Sequence, residues 1–315
     1  MFNAKVICDS ISPAGVRLTT IEGTFPRFIL AEVNTHRMLG RLREGLFDSD
    51  ADLSRSSASS RAIPVEKRIK MIEEDPFVPE VFGKNQKGMQ STEELEGENA
   101  EGARLDWHEG KAQAILIARR LAKRDVHKQY ANRVLEPYCW HTAVITATEW
   151  GNVDALRAHP DAQPEFQKFW RMVIAAREAS RPRQLGIGEW HLPYVHGVDE
   201  DVLRDEEGFT STDLAEISCA RSGRVSHLTQ DGKRDPWEDI KLYDRFLSAF
   251  HMSPLEHAAT PYDRNDYEHR RVAMCRLEED NPSAKNIWIG NYRGWVQKRK
   301  LVVGEHDFSL RSPRS

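Results

Sequence analysis

The order of hydrophobic and polar side chains predicts a strand followed by a helix near the start of the chain. Residues 16–25 (VRLTTIEGTF) are rich in β-branched side chains and partly alternate, as a half-buried strand does. Pro26 follows, and proline is favoured at the first position of a helix. The pattern therefore predicts a helix that runs from Pro26 to about Thr35, His36 and Arg37.

Apolar side chains at helical spacing predict longer helices further along the chain. Trp107, Ala114, Ala118 and Leu121, for example, fall on one helical face. The predicted helices cover residues 104–124, 127–135 with a stop at Pro137, 161–180, 213–221, and a segment from the Asp235-Pro236 cap to a stop at residues 251–254. We expect an acidic surface insertion at residues 42–53 and an exposed linker at residues 91–103.

The predicted elements indicate an α+β protein, because helix outweighs strand and no regular βαβ alternation is present. The sequence has no Gly-x-Gly-x-x-Gly after a strand and no Walker loop. A nucleotide cofactor would therefore have to bind without either fingerprint.

Composition narrows the class of protein further. The chain has 315 residues with 45 Lys and Arg against 49 Asp and Glu, a formal charge of −4, so any anion site must be local. It shows no signal-peptide pattern and no stretch of roughly 18 apolar residues, so we expect a cytoplasmic protein with no membrane partner. The cysteines form no Cys-x-x-Cys pair and are expected to be reduced: Cys8, Cys139, Cys219 and Cys275.

A run of hydroxyl and guanidinium side chains follows Thr35-His36-Arg37. Residues 54–61 read SRSSASSR and end at Arg61. Arginine forks, hydroxyls and free backbone N–H groups are what a phosphate group needs. Taken alone, the same run is also typical of a solvated loop whose hydroxyls cap the backbone.

Arg157 lies in a second polar segment, LRAHPDAQPE, just ahead of a capped helix. An arginine at this place can stabilise an anionic ligand group beside the helix N-terminus. The alternative is a surface ion pair with Asp154 or Asp161.

Three further segments combine charged, histidine and aromatic residues. They are CARSGRVS at residues 219–226, HMSPLEH at residues 251–257 and GEWHLPYVH at residues 188–196. His251, Glu256 and His257 match neither His-x-x-x-His nor His-Glu-x-x-His, so no metal site is predicted. Residues 188–196 are expected to form a structural loop.

Together these segments resemble the flavin-dependent thymidylate synthases. The family signature is Arg-His-Arg, seven residues, then Ser, with a further Arg two positions later. Here Thr35 stands in place of the first Arg, His36 and Arg37 follow, and Ser59 and Arg61 correspond to the Ser and Arg once the acidic insertion is removed.

Other motifs carry the same resemblance. LRAHPDAQPE is similar to the family's Leu-Arg-Ala segment, which places Arg157 where the arginine that activates the uracil ring stands. ANRVLEP makes Arg133 a phosphate candidate. CARSGRVS and HMSPLEH precede the signature in the usual family order but follow everything else here, so the resemblance implies a circular permutation.

The resemblance implies one catalytic domain over residues 1–315, with an antiparallel sheet flanked by long helices. Insertions would lie at residues 42–53, 62–103 and 185–210, and an extension at residues 261–315. SSRAIP, VHKQ, EWHLPY and GWVQKRK are similar to segments of a longer, phage-encoded branch of the family. The family also implies a homo-oligomer, a tetramer, with no stable nucleic-acid partner.

The implied reaction is reductive C5 methylation of dUMP, with FAD as cofactor and methylenetetrahydrofolate and NADPH as co-substrates. Arg157 would be the catalytic residue. The implied substrate-binding residues are Glu32, Ser57, Ser59, Ser60, Arg61 and Arg133. The implied cofactor-binding residues are Thr35, His36, Arg37, Asn152, His251, Ser253 and Glu256.

Three departures from the family pattern keep alternatives open: Thr35 replaces an Arg, Glu32 a Gln and Ser57 a Glu. An ionised Glu32 only accepts hydrogen bonds, which suits the 4-amino group of cytosine, unless Glu32 pairs with Arg37 or Arg61. A second hypothesis is therefore C5 hydroxymethylation of dCMP or dUMP. A third is a non-catalytic nucleotide or single-strand binder that uses the basic and aromatic residues 291–300.

Overall fold

The computed structural model describes residues 1–35, 53–57, 59, 62–88, 91–195, 197–229, 231–262, 290–302 and 304–305. The predicted site residues His36, Arg37, Ser60 and Arg61 lie outside these ranges, as does the side chain of Thr35. The acidic insertion at residues 42–53 lies outside them except for Leu53.

A five-stranded sheet forms the centre of the fold. Its strands are β1 (Asn3–Ile11), β2 (Arg17–Pro26), β3 (Ser54–Ser57), β4 (Trp140–Ala147) and β5 (Arg183–Gln184), in the order β3-β4-β2-β1-β5. The first four pair antiparallel, whereas β5 runs parallel to β1, so the sheet is mixed and the expectation of a purely antiparallel sheet was wrong. A separate antiparallel pair joins β6 (Ala259–Pro261) to β7 (Trp295–Gln297).

The helices, in chain order, are α1 (Leu30–Thr35), α2 (Val65–Glu74), α3 (Gly97–Lys123), α4 (Lys128–Ala131), α5 (Gly151–Arg157), α6 (Pro164–Ala179), α7 (Val198–Asp201), α8 (Ser211–Arg224) and α9 (Pro236–Ser248). Short 3-10 turns cover Arg27–Ile29, Asn132–Tyr138, Ser253–Glu256 and Lys298–Leu301, and one π turn covers Val202–Glu206. None of the described helices combines the length and apolar character that a bilayer span requires.

Most of the predicted elements are confirmed. The strand predicted at residues 16–25 is β2, and the helices predicted at residues 161–180 and 213–221 are α6 and α8. Asp235 caps α9 by accepting a hydrogen bond from the Glu238 backbone N–H, as the Asp-Pro pair predicted. Strands β1 and β4 were not predicted.

Two predictions need correction. The linker expected at residues 91–103 is helical from Gly97, because α3 extends about two turns further towards its N-terminus than its apolar face indicated. The helix expected over residues 127–135 is only one turn of α4, and the chain continues as a 3-10 turn that contains Pro137 instead of stopping before it.

Helix α6 covers one face of the sheet. Phe166, Phe169, Trp170 and Val173 are buried there against Phe25 and Ile145 of the central strands. The Phe169 ring lies directly on Gly23 of β2, where an added Cβ would approach the ring to 2.5 Å. Gly23 therefore allows the close contact between helix and sheet.

The opposite side of the molecule holds a second apolar cluster, built mainly by α8 and α9. Leu214, Ile217 and Cys219 of α8 pack with Tyr243 of α9 and with Leu255 after it. Helix α8 begins with a capping box in which Thr210 and Asp213 bond each other's backbone N–H groups. The free Cys219 fits this packing, since burial raises its pKa to about 12.

Candidate functional site

Strand β3, which carries the start of the hydroxyl-rich run, is fixed on one side by helix α1. The guanidinium of Arg55 donates to the main-chain carbonyl oxygens of Val33 and of Asn34, the latter at 3.3 Å. These carbonyls belong to the last turn of α1, where a helix has no internal donors for them. The last turn of α1 is therefore held against the start of the Ser-rich run.

The turn at residues 251–257 meets β3 from the other side. His257 Nε2 lies 2.9 Å from Ser56 Oγ, and Gln297 Nε2 donates to Ser54 Oγ at 3.0 Å and to the Glu256 carbonyl at 2.9 Å. Segments far apart in the chain thus pack around one edge strand.

Arg157, the predicted catalytic residue, is the last residue of α5. Its guanidinium carbon lies 4.7 Å from the centre of the Phe166 ring, in a cation–π contact. Partial burial lowers the pKa of Arg157, and the carboxylate of Glu32 in α1 opposes that shift. Glu32 is therefore an electrostatic neighbour of Arg157, while Asp154 is bonded by Arg177 and by Trp170 Nε1.

The candidate phosphate residues lie on adjoining segments. Ser57 and Ser59 are exposed at and just beyond the end of β3. Arg133 is also exposed and pairs with Glu136 at 3.0 Å. Its segment packs against the chain that follows the Ser-rich run, since the side chain of Asn132 donates to the Ile63 carbonyl at 2.9 Å.

The candidate flavin residues differ in their exposure and in whether they already have partners inside the protein. Asn152 is exposed in the first turn of α5, and His251 is exposed with its ring edge-on to Phe246. Ser253 is partly buried. Glu256 forms an ion pair with Arg299 at 2.5 Å and accepts from Asn291 Nδ2 at 3.3 Å, so its carboxylate already has internal partners.

The single-strand binding hypothesis for residues 291–300 is not supported by their burial. Trp295 is fully buried, and Gln297 and Lys298 are 1% and 7% exposed. Lys298 pairs with Glu216 of α8 at 3.0 Å, and Arg299 with Glu256. Trp295, Lys298 and Arg299 are used inside the fold, so they are not available to stack on or track a strand of nucleic acid.

The structure also reveals a chain of buried hydrogen bonds that sequence reasoning missed. Four hydroxyl and two imidazole groups are linked across the sheet with atom-to-atom distances of 2.7 to 2.9 Å. We call it the hydroxyl-imidazole chain; its members, in order, are Ser10, His191, Thr20, Thr146, His257 and Ser56.

The two histidines of this chain are fully buried, and burial lowers the pKa of each to about 3. They are therefore neutral at physiological pH and serve as hydrogen-bond partners. His191 comes from the EWHLPY segment, whose predicted structural role is confirmed: its backbone bridges to Ala259. Thr20 of β2 and Thr146 of β4 are directly opposite each other in the sheet register. This register places their two hydroxyls within hydrogen-bond distance and so joins the two ends of the chain of hydrogen bonds.

His257 uses both ring nitrogens on hydroxyls, Nδ1 with Thr146 and Nε2 with Ser56. Across the described ranges, no group of three or more His, Cys, Asp or Glu side chains is placed to hold a metal ion.

Comparison with known proteins adds a distant likeness. No family model matches the sequence, and no curated protein matches it. Structural similarity is found to two crystal structures of a UMP/dUMP methylase, PolB from Streptomyces cacaoi, one bound with 5-Br UMP and one with 5-Br dUMP. The sequence identities are 13% and 12% and the TM-scores 0.44 and 0.37, over 56% of this chain and 88% of that chain. Because these scores are low, function rests on the chain's own residues.

Proposed function

We propose that this chain is an enzyme that modifies C5 of a pyrimidine deoxynucleotide, as a flavin-dependent thymidylate synthase-like methyltransferase acting on dUMP. The observation that supports it best is the position of helix α1. This helix carries Glu32 beside Arg157 and accepts the guanidinium of Arg55 at its end. Three segments that resemble the family's substrate motifs are therefore neighbours, although they are far apart in the chain.

Arg157 would stabilise negative charge on the base. When N3 of uracil loses its proton, charge develops at O2 and N3, and C5 becomes more nucleophilic. A guanidinium that is partly withdrawn from water interacts more strongly with that charge than an exposed one. Cys139 and Cys219 are buried in apolar clusters, so an activating arginine in place of a cysteine nucleophile suits this chain.

The hydroxyl-rich run would hold the 5′-phosphate. Ser57 and Ser59 are exposed, and Arg133 stands exposed on the segment beside residues 62–63. Together with Ser60 and Arg61 they would supply hydroxyl and guanidinium donors for a dianion. We expect loss of any one guanidinium to raise KM for the nucleotide more than it lowers kcat.

The side chains at the predicted cofactor positions are of types that suit a flavin. Asn152 supplies amide donor and acceptor atoms and His251 ring nitrogens, both at exposed positions, which fits the polar edge of an isoalloxazine. Thr35, His36, Arg37 and Ser253 would complete the set, whereas Glu256 is already paired with Arg299. When bound, FAD reduced by NADPH would supply the hydride, and methylenetetrahydrofolate the one-carbon unit.

The electrostatic interaction between Glu32 and Arg157 favours keeping a second candidate, C5 hydroxymethylation of dCMP or dUMP with water as the final nucleophile. A base that stacks near Arg157 would also face a carboxylate, which accepts hydrogen bonds but donates none when ionised. The 4-amino group of cytosine is a donor and satisfies such a carboxylate, while the 4-oxo group of uracil does not.

Changing Arg157 tests the proposal. We expect Arg157→Met to lower kcat by roughly 10²- to 10³-fold, because the side chain keeps its packing on Phe166 but loses the charge that stabilises the base. The measurement is turnover of dUMP and of dCMP with NADPH and methylenetetrahydrofolate, with the mass of each product determined. A methyl product identifies the first candidate and a hydroxymethyl product the second.

Arg171→Met is the matched control, since Arg171 is an exposed arginine on the neighbouring helix α6. It should keep full activity, and both variants should release the same amount of FAD on denaturation. Full activity of Arg157→Met would remove Arg157 from the mechanism, and a wild-type protein that cannot be reconstituted with FAD would overturn both candidates.

A further inference from the structure

A separate cavity lies at the end of the sheet where β1 begins. Its volume is about 450 Å³, within the range of small-molecule sites. Asn3, Thr24 and Trp140 line it from the strands, and Arg68 and Met71 line it from helix α2. None of the residues assigned to the nucleotide or the flavin contributes to its wall.

Arg68 is an unusual residue for the inner face of a helix. It is 4% exposed and lies beside Ile69 and Ile72, which pack in the same apolar cluster as Cys139. Within the described residues no carboxylate pairs with its guanidinium, and its Nε is buried without an acceptor. Its side-chain partner is Cys139, but burial raises the pKa of that thiol, which therefore stays neutral and does not balance the charge. A buried cation without a counter-ion is costly, so an anionic partner from outside the folded chain would stabilise this group.

Neighbouring acids are already engaged. Glu136 lies 2.8 Å from the Nε of buried Arg27 and 3.0 Å from Arg133, so it serves two guanidinium groups and leaves Arg68 without one. Of the acids at the cavity rim, Asp75 binds the Met1 amino group at 2.7 Å, and Glu74 is paired with Lys70 at 3.7 Å.

A second buried donor faces no partner in this region. The indole Nε1 of Trp140 has no acceptor among the described residues, although Trp140 contributes to the cavity wall. His141 does not balance the charge either: its Nδ1 accepts a hydrogen bond from Arg27 at 2.8 Å, and burial together with Arg27 and Arg68 lowers the pKa of His141 to about 3, so the ring is neutral.

We propose that this cavity binds a small organic oxyanion, with its carboxylate or phosphate group on Arg68 and its apolar body against Trp140, Met71 and Ile72. The planar guanidinium presents parallel N–H groups that match two oxygens of such a group. Because Arg68 is 4% exposed, an ion pair with its guanidinium would be partly shielded from water and so strengthened. The site is independent of the proposed nucleotide reaction.

The test measures anion binding by the full chain at constant ionic strength. Inorganic phosphate and benzoate are titrated separately, chloride replaces them in the reference, and the melting temperature is followed. We expect a saturable rise with at least one of the two, and at least tenfold weaker binding in Arg68→Met, whose side chain keeps the packing but not the charge. Tighter binding of inorganic phosphate would indicate a phosphate ligand, and tighter binding of benzoate a carboxylate ligand.

The control is Arg119→Met, on α3 above the same helix, where the guanidinium is 40% exposed and paired with Glu66 and Glu73. It should bind the probes as the wild type does. Equal binding by Arg68→Met and wild type, or no saturable effect of either probe on the wild type, overturns the proposal. An anion held at the nucleotide site would survive Arg68→Met and is thereby distinguished.

Hydrogen exchange of the wild-type chain covers the case in which Arg68→Met does not fold. With the stronger probe bound, amides of residues 65–75 and 139–141 should exchange more slowly. Unchanged exchange there, at a probe concentration that shifts the melting temperature, would contradict the site.

Discussion

Lowering the pH from 7 to 5 is expected to reduce the free energy of unfolding by up to ~4 kcal/mol through His191 and His257 alone. Each has a folded-state pKa of about 3 and an ordinary pKa near 6.5 once unfolded. Between pH 6.5 and pH 3 the two histidines are protonated in the unfolded chain but not in the folded chain. Stability is therefore fully present above pH 6.5 and is lost as the pH falls, by up to about 1.4 kcal/mol per pH unit for each histidine.

The cause lies in the hydroxyl-imidazole chain. Both nitrogens of His257 and both of His191 lie 2.8 to 2.9 Å from a hydroxyl oxygen inside the protein. A second ring proton would place a charge in a fully buried site. Asp9 favours a charged His191, but burial outweighs that attraction, and His257 and Arg183 oppose it too.

Urea unfolding followed by tryptophan fluorescence at pH 7, 6 and 5 measures this loss. The His257→Gln variant should be less stable at pH 7 but lose less stability between pH 6.5 and 5, by roughly 1 kcal/mol per unit. His108→Gln, at an exposed position of α3, should keep the wild-type pH slope. An unchanged slope in His257→Gln would show that the acid sensitivity has another source.

Replacing Asp239 by alanine is expected to cost about 3–5 kcal/mol of stability. Asp239 is fully buried in α9 and accepts a 2.9 Å hydrogen bond from Arg221 Nε, and it also pairs with Arg224. The Arg221 side chain is 1% exposed, so the alanine leaves a buried guanidinium with one acid, Asp199 at 2.5 Å, and the Tyr194 carbonyl at 2.9 Å.

Chemical denaturation of three variants checks this expectation. The matched control is Glu238→Ala, which removes the neighbouring exposed pair with Lys241 and should leave the free energy of unfolding nearly unchanged. The double variant Arg221→Met with Asp239→Leu should recover part of the lost stability, because it deletes both charges instead of separating them. A cost below about 1 kcal/mol for Asp239→Ala would mean that water or a rearranged acid replaces the carboxylate.

This ion-pair cluster explains a motif that the resemblance linked to the family without assigning it a role. Arg221 of CARSGRVS fixes the Tyr194 carbonyl, and Ser218 of the same helix donates to the Pro193 carbonyl at 2.7 Å. The loop held in this way carries His191 onto the sheet. The effect of Asp239→Ala should therefore extend to the hydroxyl-imidazole chain and to β3, at the edge of the candidate site.

Periodicity predicted the elements whose own side chains decide their form. The stripe of Phe166, Phe169, Trp170 and Val173 on α6 and the Asp235 cap of α9 are local properties of ten to twenty residues, and both are confirmed. Strands β1 and β4 were not predicted, because a short apolar run such as WHTAVITA is compatible with a buried strand or a buried helix. The segments that pack against such a run in the fold decide which of the two forms.

The sequence by itself determined the α+β class, the main helices, strand β2 and the residue types available for binding a phosphate and a base. The tertiary structure alone decided that Glu32 acts electrostatically on Arg157 and that His257 reaches Ser56. It alone decided that Trp295 and Lys298 of the basic segment are buried and that Arg68 has no acidic partner among the described residues. The physical reason is distance along the chain. Local propensity acts over a few residues, whereas hydrogen bonds, desolvation and charge pairing depend on which distant segments the sheet register and helix packing bring into contact.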